Sequence, residues 1–124
     1  MVIAWAAVAA QFAYAANPQP QPYAVEWAPS GDKTIDSTMK ATSQLETLRK
    51  TAPTDGFGLI ARARGDVTRL QTVLQSFGYY DGSIIITING MTLDSGQLAD
   101  TLASLPNGSD AHVSIDPTLG PLFH

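Results

Sequence analysis

The sequence predicts an α+β fold: a small three-stranded mixed sheet covered on one face by two helices, in the order β-α-α-β-β. Three observations predict it. The stretch from Thr54 to Gly78 repeats apolar residues at +3 and +4 spacing, the mark of a helix buried on one side. Three short segments alternate apolar and polar residues, as half-buried strands do. Turn signals rich in Pro, Gly and Asn separate these elements.

The first strand is Tyr23–Trp27, with Tyr23, Val25 and Trp27 on one face. Pro29-Ser30-Gly31-Asp32 ends it as a turn. A helix is expected from Ser37 to Lys50, with Met39, Leu45 and Leu48 as a sparse apolar stripe that Thr42 weakens. Ser43-Gln44-Leu45-Glu46 has the form of a capping box, so the firm part of that helix can begin there. Arg49 and Lys50 suit its C-terminal end, and Pro53 stops it. The second helix is capped by Thr54 or Asp55 and buries Ile60, Ala63, Val67, Leu70, Leu74 and Phe77. Arg62, Arg64, Asp66, Arg69 and Gln71 fall mostly on its other side. Gly78 supplies a left-handed stop.

Ser83–Ile88 is the second strand, with Ile84, Ile86 and Ile88 facing one way and Ile85 and Thr87 the other. Asn89-Gly90 is a tight-turn signal. Leu93–Leu105 has room for an optional short helix, capped by Asp94 or Ser95, with Leu98, Leu102 and Leu105 inward. Pro106-Asn107-Gly108-Ser109 makes a turn, and Ala111–Ile115 is the last strand. A sheet this small has edges, and an edge can add a strand from another chain without any catalytic residue.

Composition narrows the function. The 124 residues suit one domain, with or without a leader. A 44 % hydrophobic and 15 % charged composition is that of a folded chain. Lys+Arg 7 against Asp+Glu 11 gives a formal charge of −4, so no basic face for nucleic acid is implied. With Cys 0 there is no disulfide framework, thiol nucleophile or Cys-type zinc site. His112 and His124 lie far apart, so no metal and no cofactor is expected.

Three regions follow. Residues 1–16 form an apolar leader, too short to span a bilayer but of the length of a signal-peptide core. Ala13-Tyr14-Ala15 matches the small–x–small cleavage pattern, although no Lys or Arg precedes the run. Residues 17–22 are a Pro/Gln linker that holds the leader away from the domain. Residues 23–124 are the folded domain.

Within that domain, Arg62-Ala63, Asp66, Arg69-Leu70, Leu74 and Gly78-Tyr79-Tyr80 stand at distinctive spacings. They resemble the helix-to-strand signature of POTRA (polypeptide-transport-associated) domains, above all the first such domain of TamA-type autotransporter assembly factors. Ser43-Gln44-Leu45 with Leu48 resembles the preceding helix. Gly120-Pro121-Leu122-Phe123 resembles the segment that leads into the next domain.

The resemblance implies a periplasmic module without enzymatic activity, attached to the outer membrane through a β-barrel absent from this chain. It implies as partners unfolded outer-membrane proteins or neighbouring POTRA and barrel domains, and a large inner-membrane-anchored, TamB-like protein. No small-molecule substrate is implied. Such proteins continue into further domains, so the chain is expected to be a fragment, an excised domain or a truncated reading frame. The Leu93–Leu105 stretch is longer than a minimal domain of this kind requires.

Arg62, Asp66, Arg69, Gly78, Tyr79 and Tyr80 are therefore the candidate structural or interaction residues. Asp66 and Arg69 read as a solvated pair worth a few tenths of a kcal/mol. Arg62 and Arg64 read as a solvated face, or as a face that orients the domain against a neighbour. Tyr79 and Tyr80 point to opposite faces, one under the helices and one toward solvent or a partner.

Two other classes compete. Ile84–Met91 followed by Leu98–Leu102 resembles the "I..ING" strand and helix of bacterial PDZ modules, which bind peptide termini. Asp55-Gly56-Phe57-Gly58-Leu59 is a poor stand-in for their carboxylate loop. An enzyme is the third class, but the chain has no Gly-x-Ser-x-Gly elbow, no P-loop and no paired-carboxylate motif.

Overall fold

The computed structural model describes residues 20–106 and 108–122. The apolar leader, the first half of the Pro/Gln linker (residues 17–19), Asn107, Phe123 and His124 lie outside the described residues, as does the end of the Gly120–Phe123 motif. The elements are β1 (Tyr23–Trp27), α1 (Lys33–Thr42), α2 (Gln44–Thr47), α3 (Gly56–Ser76), β2 (Ser83–Ile88), β3 (Met91–Thr92), α4 (Leu98–Ala103) and β4 (Ala111–Thr118). The strands form one mixed sheet in the order β1-β4-β2-β3. β1 runs parallel to β4, and β4 antiparallel to β2.

The α+β class and the one-sided helix layer match the sequence expectation, but the sheet has four strands instead of three. The added strand follows from Asn89 and Gly90, whose φ angles of 52° and 77° make a two-residue hairpin. That turn folds Met91 and Thr92 back onto Ile88 and Thr87.

β4 is also longer than expected. The alternation predicts a strand only to Ile115, yet the strand runs to Thr118. Ala111 donates its N–H to Pro22 and Ile115 accepts from Ala28, so odd-numbered residues of β4 direct their peptide groups toward β1. β1 ends at Trp27, opposite Ile115. Pro117 therefore lacks an N–H only where no strand would receive it.

The first helix divides in two. α1 starts earlier than Ser37 because Asp32 caps it, accepting from the N–H groups of Thr34 and Ile35 at 2.9 and 3.2 Å. This buries Ile35 and Met39, one turn apart. Ser43 then turns to an extended ψ of 125° and caps α2, with its Oγ accepting from the Glu46 N–H at 3.2 Å. α3 is capped by Asp55, as expected, and Gly78 takes the left-handed φ of 93° that ends it. α4 begins at Leu98 and buries Leu98 and Leu102; just ahead of it the Ser95 Oγ accepts from the Gln97 N–H at 3.3 Å, two residues earlier than a cap on Gln97 would stand.

The core lies between the helices and one sheet face. Ile84, Ile86, Ile88, Val113 and Ile115 point into it from the strands, and Leu59, Ala63, Leu70 and Leu74 from α3. The α3 stripe is rotated from the expected one: Leu59, Val73 and Asp66 are buried, while Phe77 is exposed. The far sheet face, with Ala24, Glu26, Ile85, His112 and Asp116, is covered by no helix among the described residues and is exposed there. The end of the Pro/Gln linker is tied into the fold: Gln21 donates from its backbone to Thr54 and from its side chain to Ser109.

Candidate interaction surface

Asp66, Arg69 and Arg62 are drawn into one polar cluster inside the molecule. Asp66 is fully buried, which corrects the reading of a solvated pair. Its carboxylate accepts from Ser43 Oγ at 2.5 Å, from the Gln44 and Leu45 N–H groups at 2.9 and 3.0 Å, and from Arg69 Nε at 2.8 Å. The two backbone donors belong to the first turn of α2, where N–H groups lack partners within the helix. Asp66 thus caps α2 from a neighbouring helix.

Arg62 also works within the fold. One guanidinium nitrogen donates to Tyr23 Oη at 3.1 Å and the other to the Ala52 carbonyl at 2.9 Å. Tyr23 donates in turn to the Leu45 carbonyl at 2.7 Å. β1, α2 and α3 are fastened together by this chain of bonds. Arg62 is half-buried rather than part of a solvated face. Among the described residues no buried side-chain nitrogen or oxygen lacks a partner.

Gly78, Tyr79 and Tyr80 sit at the other end of α3. Both tyrosines lie in the turn before β2, not in the strand. Tyr79 packs against the core and Tyr80 is 61 % exposed, as the expectation of one inward and one outward ring required. The six candidate residues therefore split into a structural cluster and a turn, and do not form one site.

The chemistry left for a partner is at the sheet. Asn89 donates its N–H to the His112 carbonyl, which sets the alternation along β2: Ser83, Ile85 and Thr87 face β4 with their peptide groups. Ile84, Ile86 and Ile88 direct theirs to the opposite edge. β3 pairs there only with Thr87 and Ile88. Among the described residues no strand pairs with Ile84 or Ile86, although Leu93, directly after β3, comes opposite Ile86; the side chains of both isoleucines are buried beneath the helices. Beside them Ile85 is 54 % exposed on the uncovered face. The signal for this edge was in the sequence as three consecutive isoleucines; the brevity of β3 was not.

The other edge is β1, bordered by Pro22 and Pro29, residues that discourage strand addition. Phe57, 75 % exposed, separates two shallow clefts of about 360 and 320 Å³ beside α4. Gly56 to Leu59, which the PDZ-like reading needed as a loop, is the first turn of α3. Among the described residues no group of His, Cys, Asp or Glu is arranged to hold a metal. Nor is any helix among them long and apolar enough to cross a membrane.

Comparison of the chain with protein-family models, with curated proteins and with solved structures finds no match.

Proposed function

We propose that this chain is a periplasmic protein-interaction module of the POTRA type, belonging to the apparatus that assembles or inserts outer-membrane proteins. The observation that carries the reading is the edge of β2, which no strand among the described residues covers along Ser83–Ile86, in a sheet whose described helices lie on one face. The spacing of Arg62, Asp66, Arg69 and Gly78-Tyr79-Tyr80 supports the family assignment.

In this reading an extended client segment pairs with β2. Main-chain bonds to the Ile84 and Ile86 peptide groups hold it, so many sequences are accepted. Tyr80, near the start of β2, is placed to meet the client or an adjoining domain. Attachment to the outer membrane comes from a barrel outside this chain, and an inner-membrane-anchored, TamB-like protein is a further partner. The PDZ-like alternative is less well supported, because the residues it needs as a carboxylate-binding loop are helical.

The test uses the native host. An antibody raised to Tyr23–His124 is used to blot fractionated envelopes, with and without boiling in detergent. A large outer-membrane band whose mobility shifts on heating is expected, because folded barrels resist detergent. A small soluble band would overturn the assignment to an outer-membrane assembly factor.

A further inference from the structure

The basic residues of this chain are confined to one part of its length, while acidic residues run throughout the domain. All 7 Lys and Arg fall between Lys33 and Arg69, on α1, α3 and the segment between them. Beyond Arg69 the charged residues are Asp81, Asp94, Asp100, Asp110 and Asp116. The uncovered sheet face carries exposed Glu26 and Asp116 and, at its far end, exposed His112. Arg64 reaches the end of β3 from the helix layer, where it donates to the Leu93 carbonyl at 2.9 Å.

The register shows what a strand added to β2 would meet. Ile85 pairs with Asp116 across β2 and β4. A partner residue placed opposite Ile85 points onto the same uncovered face. It lies two strand spacings, about 9.5 Å, from Asp116. A Lys or Arg there can lay its aliphatic stem over the exposed Ile85 and bring its charged head to the Asp116 carboxylate. The flanking partner residues turn toward the core beside Ile84 and Ile86, where apolar side chains fit.

From this juxtaposition we infer that the strand received by β2 alternates apolar residues with basic ones, a Lys or Arg opposite Ile85 being read by Asp116. The inference rests on the strand-addition reading above and adds to it the chemistry of the partner. Main-chain pairing supplies the attachment, and the acidic face sorts the strands.

The experiment uses the 124-residue chain and three synthetic seven-residue peptides. Each alternates Val with one polar residue: Lys, Glu or Ser. Binding is followed by fluorescence anisotropy, and hydrogen exchange reports on the Ile84 and Ile86 amides. The Lys peptide is expected to bind about tenfold more tightly than the Glu peptide at low salt, with Ser between them. All three are expected to protect both amides in proportion to binding. Asp116→Asn, an exposed change, should narrow the Lys-over-Glu preference about two- to fivefold without lowering affinity for the Ser peptide.

Equal binding of all three peptides, with both amides protected, would overturn the charge selection and leave strand addition standing. Failure of every peptide to protect the amides would overturn strand addition at β2 and the inference with it. Binding of the Lys peptide without amide protection, or a preference unchanged in Asp116→Asn, would show attraction to the net negative chain elsewhere and would also overturn the inference.

Discussion

Asp66 carries the largest single consequence at the scale of the residue. Its carboxylate is fully buried, and its four donors come from Ser43, Gln44, Leu45 and Arg69. Removing it leaves a buried hydroxyl and the first amides of α2 without an acceptor. Asp66→Ala should therefore lower stability by about 3–5 kcal/mol in urea denaturation. Asp66→Asn keeps one accepting oxygen and should cost about 1–2 kcal/mol. Equal, small effects from both would mean that the cluster is solvated after all. Gly82 makes a second prediction of a different kind. A Cβ on it would lie 2.8 Å from Leu74 Cδ1 and 2.9 Å from the Thr118 carbonyl oxygen. The leucine can shift but the strand carbonyl cannot, so Gly82→Ala should cost about 1–3 kcal/mol by the same measurement.

Among the elements, β2 separates two environments within neighbouring residues. Ile86 is buried under the helices while Ile85 is exposed on the other face. Ile86→Ala should destabilise by about 2–4 kcal/mol, and Ile85→Thr should stay within about 0.5 kcal/mol. A reversed pair of values would mean that the strand register is shifted by one residue. This alternation was legible because Ile84 to Ile88 are set by period two, and the bounds of β1 and β2 followed from the same rule. The bounds of β4 were not legible. Pro117 ends a strand only if its missing N–H was needed, and that depends on where β1 stops, a fact of the sheet rather than of the segment. The break between α1 and α2 had a local signal in the Ser43–Glu46 box, and the start of α1 had one in Asp32. The burial of Asp66 had none within its own helix. Its donors come from α2, more than twenty positions earlier in the chain, and periodicity ranks an Asp as outward-facing. The edge at Ile84 and Ile86 was legible as a general property of small sheets, but which edge has no partner strand among the described residues required the strand order and the two-residue length of β3.

For the molecule as a whole, an available strand edge poses a problem before any partner arrives, because two copies can pair edge to edge. The β2 edge has no proline or lysine guarding it between Ser83 and Ile88, and Ile85 adds exposed apolar surface. The acidic sheet side offers a counterweight. If two β2 edges pair, both uncovered faces join into one, and Asp116 and Glu26 of each copy come onto a common surface with no Lys or Arg strand residue to offset them. Repulsion between exposed carboxylates is weak at any one pair but acts together across a continuous sheet, and it is screened over about 10 Å at 0.1 M salt. Self-association should therefore rise with salt. Sedimentation velocity on the 124-residue chain is expected to show less dimer in 0.02 M than in 0.5 M sodium chloride, and Asp116→Asn should move the low-salt distribution toward the high-salt one. Ile85→Lys adds a positive charge at the centre of the edge while removing its apolar surface, and its response separates two causes. If it dimerises less than the parent at high salt, the apolar contact drives pairing and the carboxylates restrain it. If dimer content is unaffected by salt, Asp116→Asn and Ile85→Lys alike, the copies meet at another surface and β2 is not the exposed template its strand order implies.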